Sequence, residues 1–466
     1  MPILAEVENA AHAADTREEQ TPEVRSTAAE MPPAPPRGAA AGPLRVAMLV
    51  ENMSFPRDRR VRQEAEALSA AGYRVSVVCP RGEREDRALH ETVGQVRVYR
   101  YPQPWSGHGA LTYALEYGWA LLATAIVLAW IGVRHGLDVI HSANPPDMFF
   151  VLAAPLRLLG VRYVFDQHDL SPEMYESKFG GRGRAYQALQ WLERATYRAA
   201  DRVIVTNRSF AQIARTRGGL RAEAVQVVRN GPDLDHFHLG APRPELKRGA
   251  RYLALYIGVM GKQDGLDRVL EAAQHMARQR GRHDVHFALL GNGDEWEPLQ
   301  RRARELGASE AFSFPGWMND EQLMAYLSTA DVCLAPDPPV RMNQLSTMIK
   351  IMEYMSCGRA IVSFDLLETR RSAGKAALYV PQDDPAQFAD AILQLLDDPA
   401  RRARMGAAGL ERVRSELHWG RSREVLLGVY AQLVSEGAAR KLAAHEAAWL
   451  RAGTRPRPLP QTDGSR

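Results

Sequence analysis

The sequence predicts two doubly wound α/β domains, each a parallel sheet covered by helices on both faces, set on either side of a cleft. Three observations carry this. Short apolar, β-rich runs alternate with segments of helical spacing; a stretch rich in Pro, Gly and charge interrupts the alternation, which then restarts; and several of the runs end in glycine-containing or polar loops, at the strand ends where such sheets bind ligands. At 466 residues, 45% of them hydrophobic, the chain is long enough for two such domains.

In order, the first domain occupies residues 45–235. Its strand-like runs are 45–50, 74–79, 96–101, 138–142, 162–166, 202–206 and 224–228. Helical spacing covers 60–71, stopped by Gly72, then a long apolar segment within 111–133, and a further helix near 148–159. Residues 236–250 read as a linker. The second domain, 251–417, repeats the pattern with strands at 252–257, 285–290, 311–314, 332–335 and 360–363. Residues 418–451 are helical and are expected to pack back on the first domain. Residues 1–44, rich in Ala, Pro and Glu, and 452–466 read as disordered tails, and the opening residues lack the basic start and apolar stretch of a signal peptide.

Composition narrows the function. A formal net charge of +4, spread over charges of both signs, gives no basis for a nucleic-acid partner. Cys79, Cys333 and Cys357 are far apart, match no metal spacing, and read as reduced, buried thiols of a cytoplasmic protein. No G-x-G-x-x-G follows the first strand, so the fingerprint of a nicotinamide or flavin enzyme is missing. The segment 111–133 carries one charge, Glu116, and approaches the length of a bilayer span. Because strands of one sheet are expected on both sides of it, it reads as a buried or membrane-surface helix rather than a span.

In the second domain the strand 285–290 ends in Gly291-Asn292-Gly293-Asp294, the next in Pro315-Gly316-Trp317 and a third in Ala335-Pro336-Asp337, which puts three loops on one rim. Residues 344–359 (QLSTMIKIMEYMSCGR) read as a helix with Ser346 or Thr347 as N-cap and Cys357-Gly358 as stop, its N-terminus aimed from the rim into the cleft. Free N–H groups and the helix dipole there suit an anion. Glu353, about two turns in, has two readings: a carboxylate for vicinal ribose hydroxyls, or an ion-paired or solvated helix residue. In the first domain, Asp166-Gln167-His168-Asp169 ends a strand toward the cleft, followed by Ser171-Pro172-Glu173. Two acids and one His in a turn are a poor metal signal; a hydrogen-bonding His168 that positions substrate or stabilises developing charge fits better. The arginines of 57–60, after the first strand, either hold an anionic acceptor or are solvated helix charges.

These pieces together resemble glycosyltransferase family 4, retaining enzymes of the GT-B architecture with two Rossmann-like domains. The resemblance covers roughly residues 45–435 and rests on F-P-x-D-x-R-V (55–61), N-P-P-D (144–147), H-D-L-S-P-E (168–173), R-N-G-P-D (229–233), G-x-M-G-x-Q-D-G (258–265) and S-T-M-I-K-I-M-E-Y-M (346–355), in that order. It implies a nucleotide-diphosphate sugar as co-substrate and no metal or other cofactor. Glu353, the second glutamate of a Glu-x7-Glu motif, would bind the donor ribose. Ser346 and the amides of Thr347, Met348 and Ile349 would receive the diphosphate, Gly291, Asn292, Gly293 and Trp317 would lie by the donor, and His168 would be the catalytic residue at the reacting sugar. Asn230 and Asp233 would lie by the hinge. The residues expected on the acceptor side are Asn52, Pro56, Asp58, Arg59, Asn144, Asp169 and Glu173. The likeness is greatest to members that build capsule, O-antigen or exopolysaccharide units on lipid carriers, so a polyprenyl-linked acceptor is expected.

The chain departs from the family at two places in the donor site. Leu345 stands where the first motif glutamate belongs, with Asn343 or Gln344 as substitutes. Val259 and Asp264 stand near the family's Arg and Lys, leaving Lys262, Arg341 and Lys350 as candidates for the missing positive charge. These departures keep a non-catalytic partner of a polysaccharide-assembly complex open beside the transferase, and the fold alone also admits a nucleotide-sugar epimerase. Residues 181–202, with Arg182, Arg184, Arg194, Arg198 and Arg202 interleaved with Tyr186, Trp191 and Tyr197, join the apolar helix in an expectation of peripheral attachment to an anionic membrane surface, the alternative being an ordinary charged helix beside a buried one.

Overall fold

The computed structural model describes residues 44–451 except 83–85, 87, 105–109 and 238. Apart from Leu44, the expected disordered tails lie outside the described residues. The first sheet has eight strands: β1 Arg45–Leu49, β2 Arg74–Pro80, β3 His90–Val93, β4 Val96–Tyr101, β5 Val139–Ala143, β6 Arg162–Gln167, β7 Arg202–Val205 and β8 Val225–Val227, in the order β3-β4-β2-β1-β5-β6-β7-β8. All neighbours are parallel except β3 and β4. The second sheet is wholly parallel, with β9 Tyr252–Ile257, β10 Val285–Leu290, β11 Phe312–Gly316, β12 Val332–Ala335, β13 Ile361–Phe364 and β14 Ala377–Val380 in the order β11-β10-β9-β12-β13-β14. The strands β3 and β14 were not among the predicted runs. Both are four-residue edge strands: β3 is half exposed, and β14 follows directly on a helical turn.

Six helices position the site and cover the first sheet: α1 Arg59–Ala70, α2 Ala110–His135, α3 Phe150–Arg157, α4 Arg184–Ala199, α5 Ile349–Ser356 and α6 Trp419–Arg451. In α1 the Asp58 carboxylate caps the first turn by accepting from the Val61 amide. On one face of the first sheet, α2, α3 and α4 share a core: Ala120, Leu128, Phe149, Ala153 and Tyr197 pack with Ala47, Ile140 and Phe165. The long apolar α2 therefore lies along the sheet. The strands before and after it, β4 and β5, belong to that same sheet.

The opposite face is covered by α1 and, from the far end of the chain, by α6. Leu426, Val429, Tyr430 and Leu433 recur at helical spacing and sit in the core with Val46, Met48, Val61 and Leu68. The return crossing is tight: the Trp419 amide donates to the Pro232 carbonyl at 2.9 Å, and a Cβ on Gly231 would lie 2.5 Å from the Leu417 carbonyl oxygen. Only glycine fits there.

The Tyr430 hydroxyl also bonds His141 Nδ1 at 2.8 Å, inside β5. The other ring nitrogen lies 3.2 Å from Glu64 and 3.7 Å from Asp166. Burial alone would lower the His141 pKa, but the Asp166 and Glu64 carboxylates outweigh it and raise it to about 9.

Two outcomes are expected. Leu426→Ala removes a fully buried side chain from the α6 contact and lowers stability by about 2–5 kcal/mol in chemical denaturation. Because the folded His141 pKa is raised, its stabilisation is fully present below the unfolded value near ~6.5 and is lost as pH rises through about 9. Melting temperatures measured from neutral pH upward should fall less steeply in His141→Gln than in the wild type over that window.

Candidate active site

Each sheet reverses its strand order once, at β1/β5 and at β9/β12, where connections diverge to opposite faces and leave a crevice at the carboxyl ends. Between the two domains lies a cavity of about 610 Å³. The first domain lines it with His168, Asp169, Thr206, Phe210 and Asn230. The second contributes Gly258, Val259, Gln263, Asp264, Gly291, Trp317, Met342 and Asn343, the run 346–350, and Glu353, among others.

On the second-domain wall, two loops meet backbone to backbone. A Cβ on Gly291, which has φ 127°, would lie 1.8 Å from the Gly258 carbonyl oxygen. This brings Gly291 into the lining. Asn292 and Gly293 are turned out of it: the Asn292 carbonyl accepts from the Met260 amide, and Gly293 packs against Met260. Trp317 is exposed on the rim. The predicted N-cap is corrected. A short separate helix, Arg341–Leu345, precedes an extended Ser346–Met348, so α5 starts at Ile349 with Met348 as N-cap and no side-chain cap. The first amides of α5, unserved by a capping side chain, are thus left for an anion in the cavity. The buried Thr347 hydroxyl finds no hydrogen-bond partner among the described residues.

Of the three candidate cations, one reaches the cavity. Lys350 lines it, but its ammonium lies 2.7 Å from Asp337, 4.0 Å from Asp264 and 4.7 Å from the centre of the Tyr256 ring. Lys262 is exposed and outside the lining, because the turn Lys262–Asp264 directs it to solvent. Arg341 is drawn across to Glu173 at 3.5 Å. Val259 and Asp264 do face the cavity, one apolar and one acidic; burial raises the Asp264 pKa.

His168 is set by a buried ionic network. Its Nε2 bonds Asp166 Oδ2 at 2.5 Å, and Arg60 grips the same carboxylate through Nε (2.9 Å) and Nη2 (2.6 Å). Arg60 Nη1 donates to the Val228 carbonyl and to Asn230 Oδ1, and Nη2 lies 3.2 Å from Glu64. Burial opposes protonation of His168, yet Asp166 raises its pKa, so the ring carries positive charge toward the cavity more readily than a free histidine. Arg60, expected at the cleft or in solvent, is instead buried beneath His168.

Several expected acceptor-side residues have other work. Asn144 braces the His168 loop: its Oδ1 accepts from the His168 and Asp169 amides, and its Nδ2 donates to Asp147 and to the Asp169 carbonyl. Glu173 is enclosed by Arg217 at 3.0 Å and by Arg341, so its carboxylate has no free face for a substrate. Asp58 caps α1, and Asn52, Pro56 and Asp58 lie outside the cavity lining; Asp169 lies within it.

The domains are joined across the cleft by specific contacts. Arg59 Nη1 donates to Glu353 Oε1 at 3.0 Å. Glu353 lines the cavity and holds the ion pair of one of its two readings; burial raises its pKa against the opposing effect of Arg59. Leu345 lies outside the cavity lining. It packs into the first domain's core, and its carbonyl accepts from the buried Asn207 side chain at 2.9 Å. Ser209 bonds Glu368 at 2.7 Å. Of the proposed substitutes for the missing glutamate, Gln344 is engaged by the Leu367 amide and lies outside the lining, whereas Asn343 lines the cavity and donates to the Gln263 and Pro338 carbonyls.

Sequence reasoning missed Glu64, His141 and Asp166 as a group. The available signal was His141 and Asp166 inside runs that otherwise read as strands buried on both faces, whereas Glu64 sits on the helical α1. Their ligand-type atoms lie within 4.8 Å of one another, with the Arg60 guanidinium against both carboxylates. The assembled site has a positive pole, from the α5 amides, His168 and Lys350, next to the carboxylates of Asp169, Asp264 and Glu353. This suits a ligand with an anionic centre flanked by hydroxyl groups.

Comparison with known proteins agrees. Residues 58–231 match the glycosyl transferase 4-like domain, and residues 251–398 match the glycosyl transferases group 1 domain. The alpha-maltose-1-phosphate synthase of Mycolicibacterium smegmatis is 26% identical over 300 residues, 59% of this chain and 74% of that protein. The sucrose-phosphate synthase of Thermosynechococcus elongatus superposes with a TM-score of 0.70 at 20% identity, over 84% of this chain and 100% of the other. The Anabaena protein HepE, solved in complex with UDP-glucose, superposes with a TM-score of 0.61 at 15% identity, over 84% and 100%. With one domain match on each side of the cleft and two parallel sheets facing each other across it, the chain belongs to glycosyltransferase family 4, with the GT-B fold.

Proposed function

We propose that this glycosyltransferase takes a sugar from a nucleotide-diphosphate donor and transfers it, with retention of anomeric configuration and without a metal ion, to a lipid-linked glycan acceptor of a surface polysaccharide or glycolipid. The observation that carries the reading is the cavity itself: the uncapped N-terminus of α5 and the positively biased His168 face one space from opposite domains. HepE binds UDP-glucose on the same fold, which supports the donor class. The diphosphate would lie on the Thr347, Met348 and Ile349 amides with Lys350 behind them, and the ribose hydroxyls would meet Glu353, displacing or sharing its oxygens with Arg59. Trp317, on the rim, would meet the base.

In the transfer, the bond from the sugar C1 to the donor phosphate oxygen breaks as the acceptor oxygen bonds C1 from the same face. The departing phosphate oxygen takes the acceptor proton, and nucleoside diphosphate leaves. The protein contributes position and electrostatic stabilisation. His168, held by Asp166, would bond the reacting sugar and offset charge on the leaving group.

A calorimetric and thermal-shift screen against UDP, GDP, ADP and their sugars, without added metal, should show one nucleotide stabilising the protein. Glu353→Ala should abolish that shift. With the donor so identified, His168→Ala should keep nucleotide binding but lower turnover by about 10²–10³-fold. Silence from every nucleotide would favour a non-catalytic partner, the reading motivated by Leu345 in place of the motif glutamate and by the missing cations.

A further inference from the structure

The outward side of the helix layer on the first domain carries a surface that the transfer chemistry does not use. Leu115, Leu122, Ile126, Trp130 and Val133 form one stripe along α2, roughly 27 Å long at helical rise. Val133 is 92% exposed. On α3, in the same layer, Val151 is exposed, and Leu158 and Leu159, just past its end, are 89% and 79% exposed. On α4, Trp191 is exposed and its ring meets Phe150 of α3 edge-on, at 6.3 Å between centroids. Single exposed apolar residues are ordinary; a patch spread over three neighbouring helices of one layer is not.

Charge is distributed around this patch with one sign. Arg134 lies in the last turn of α2, and Arg184, Arg194 and Arg198 lie on the exposed side of α4 with Trp191. Among the described residues no carboxylate pairs with these four. The three helices hold two carboxylates between them: Glu116, which accepts from Gln103, and Glu193, which is buried against Arg217. An apolar stripe bordered by unpaired arginines and tryptophan matches a bilayer whose headgroups are anionic, the tryptophans at the level where acyl chains give way to headgroups.

We propose that this face, formed by α2, α3 and α4, is the surface by which the protein lies on an anionic lipid bilayer. The segment Leu115–His135 is long and apolar enough to cross a membrane, but its inner side, through Ala120, Ala123, Leu128 and Ile131, packs on a sheet that β4 enters before it and β5 after it, so it lies on the bilayer. The helix Ser171–Phe179 runs from the His168 loop to the exposed Phe179 and packs beside α4, which links the face to the cavity. The proposal gives a lipid-borne acceptor its route to the site and rests on the proposed function only for that purpose.

The test is co-sedimentation of the full chain with phosphatidylcholine vesicles with and without phosphatidylglycerol, in the absence of donor and acceptor. The protein should pellet with the anionic vesicles and be released by salt. The double variant Ile126→Glu, Val133→Glu, at exposed positions, should lower the bound fraction by about tenfold or more. Replacing Arg184, Arg194 and Arg198 by Ser should lower partitioning into anionic vesicles by about two orders of magnitude. Both variants should keep the thermal shift of the wild type with nucleotide, which shows that they fold. The proposal is overturned if the wild type stays in the supernatant with anionic vesicles at low salt, if the double variant pellets as the wild type does, or if the face instead joins two copies in a dimer that the double variant dissolves. None of these failures touches nucleotide binding, so the transferase reading stands or falls separately.

Discussion

The contact between Arg60 and Asp166 governs the site. It is fully enclosed, and one guanidinium reaches the end of β6, the carbonyl of Val228 after β8, Asn230 two residues further on, and Glu64 of its own helix. Buried ion pairs gain little over apolar packing, but removing one partner leaves a stranded charge and costs about 3–5 kcal/mol. The pair therefore specifies one arrangement of α1, β6 and the segment that leaves β8. His168 hangs from the same carboxylate, and His141 ties it through Tyr430 to the helix that returns from the far end of the chain. Orientation of the cavity histidine and attachment of α6 are thus parts of one network.

The second organising feature is how the domains meet. At family positions that would supply a sugar-binding glutamate and two cations, this chain has Leu345, Val259 and Asp264. Leu345 joins the first domain's core, and Asn207, Ser209, Arg59 and Glu173 each reach a partner on the second domain. Leu345 is thus an interdomain anchor. Positive potential in the cavity then comes mainly from the N-terminus of α5 and from His168, with Lys350 shared between Asp337 and the cavity.

Most of the architecture was legible because strands buried on both faces and helices with one apolar side leave different periods. The edge strands β3 and β14 escaped because four residues are too few to show a period. In the site, His168, Asp169, Gly291, Trp317, residues 346–350 and Glu353 were legible from loops at strand ends and from the helix start, and all line the cavity. What escaped depends on pairing over long sequence distances. Arg60 and Asp166 are 106 positions apart, Arg59 and Glu353 294, and Asn207 and Leu345 138. Asn144 and Glu173 looked like surface ligands because a turn sequence does not reveal that their polar atoms are met from within the protein.

The proposed chemistry requires a nucleoside diphosphate in this cavity with its phosphates on the start of α5. A crystal structure of the protein grown with the nucleotide that binds it would decide the matter. Density for the diphosphate is expected at the Thr347–Ile349 amides, with a ribose hydroxyl within hydrogen-bond distance of Glu353. A nucleotide found elsewhere on the molecule, or one in the cavity whose ribose makes no contact with Glu353, would contradict the proposed donor site.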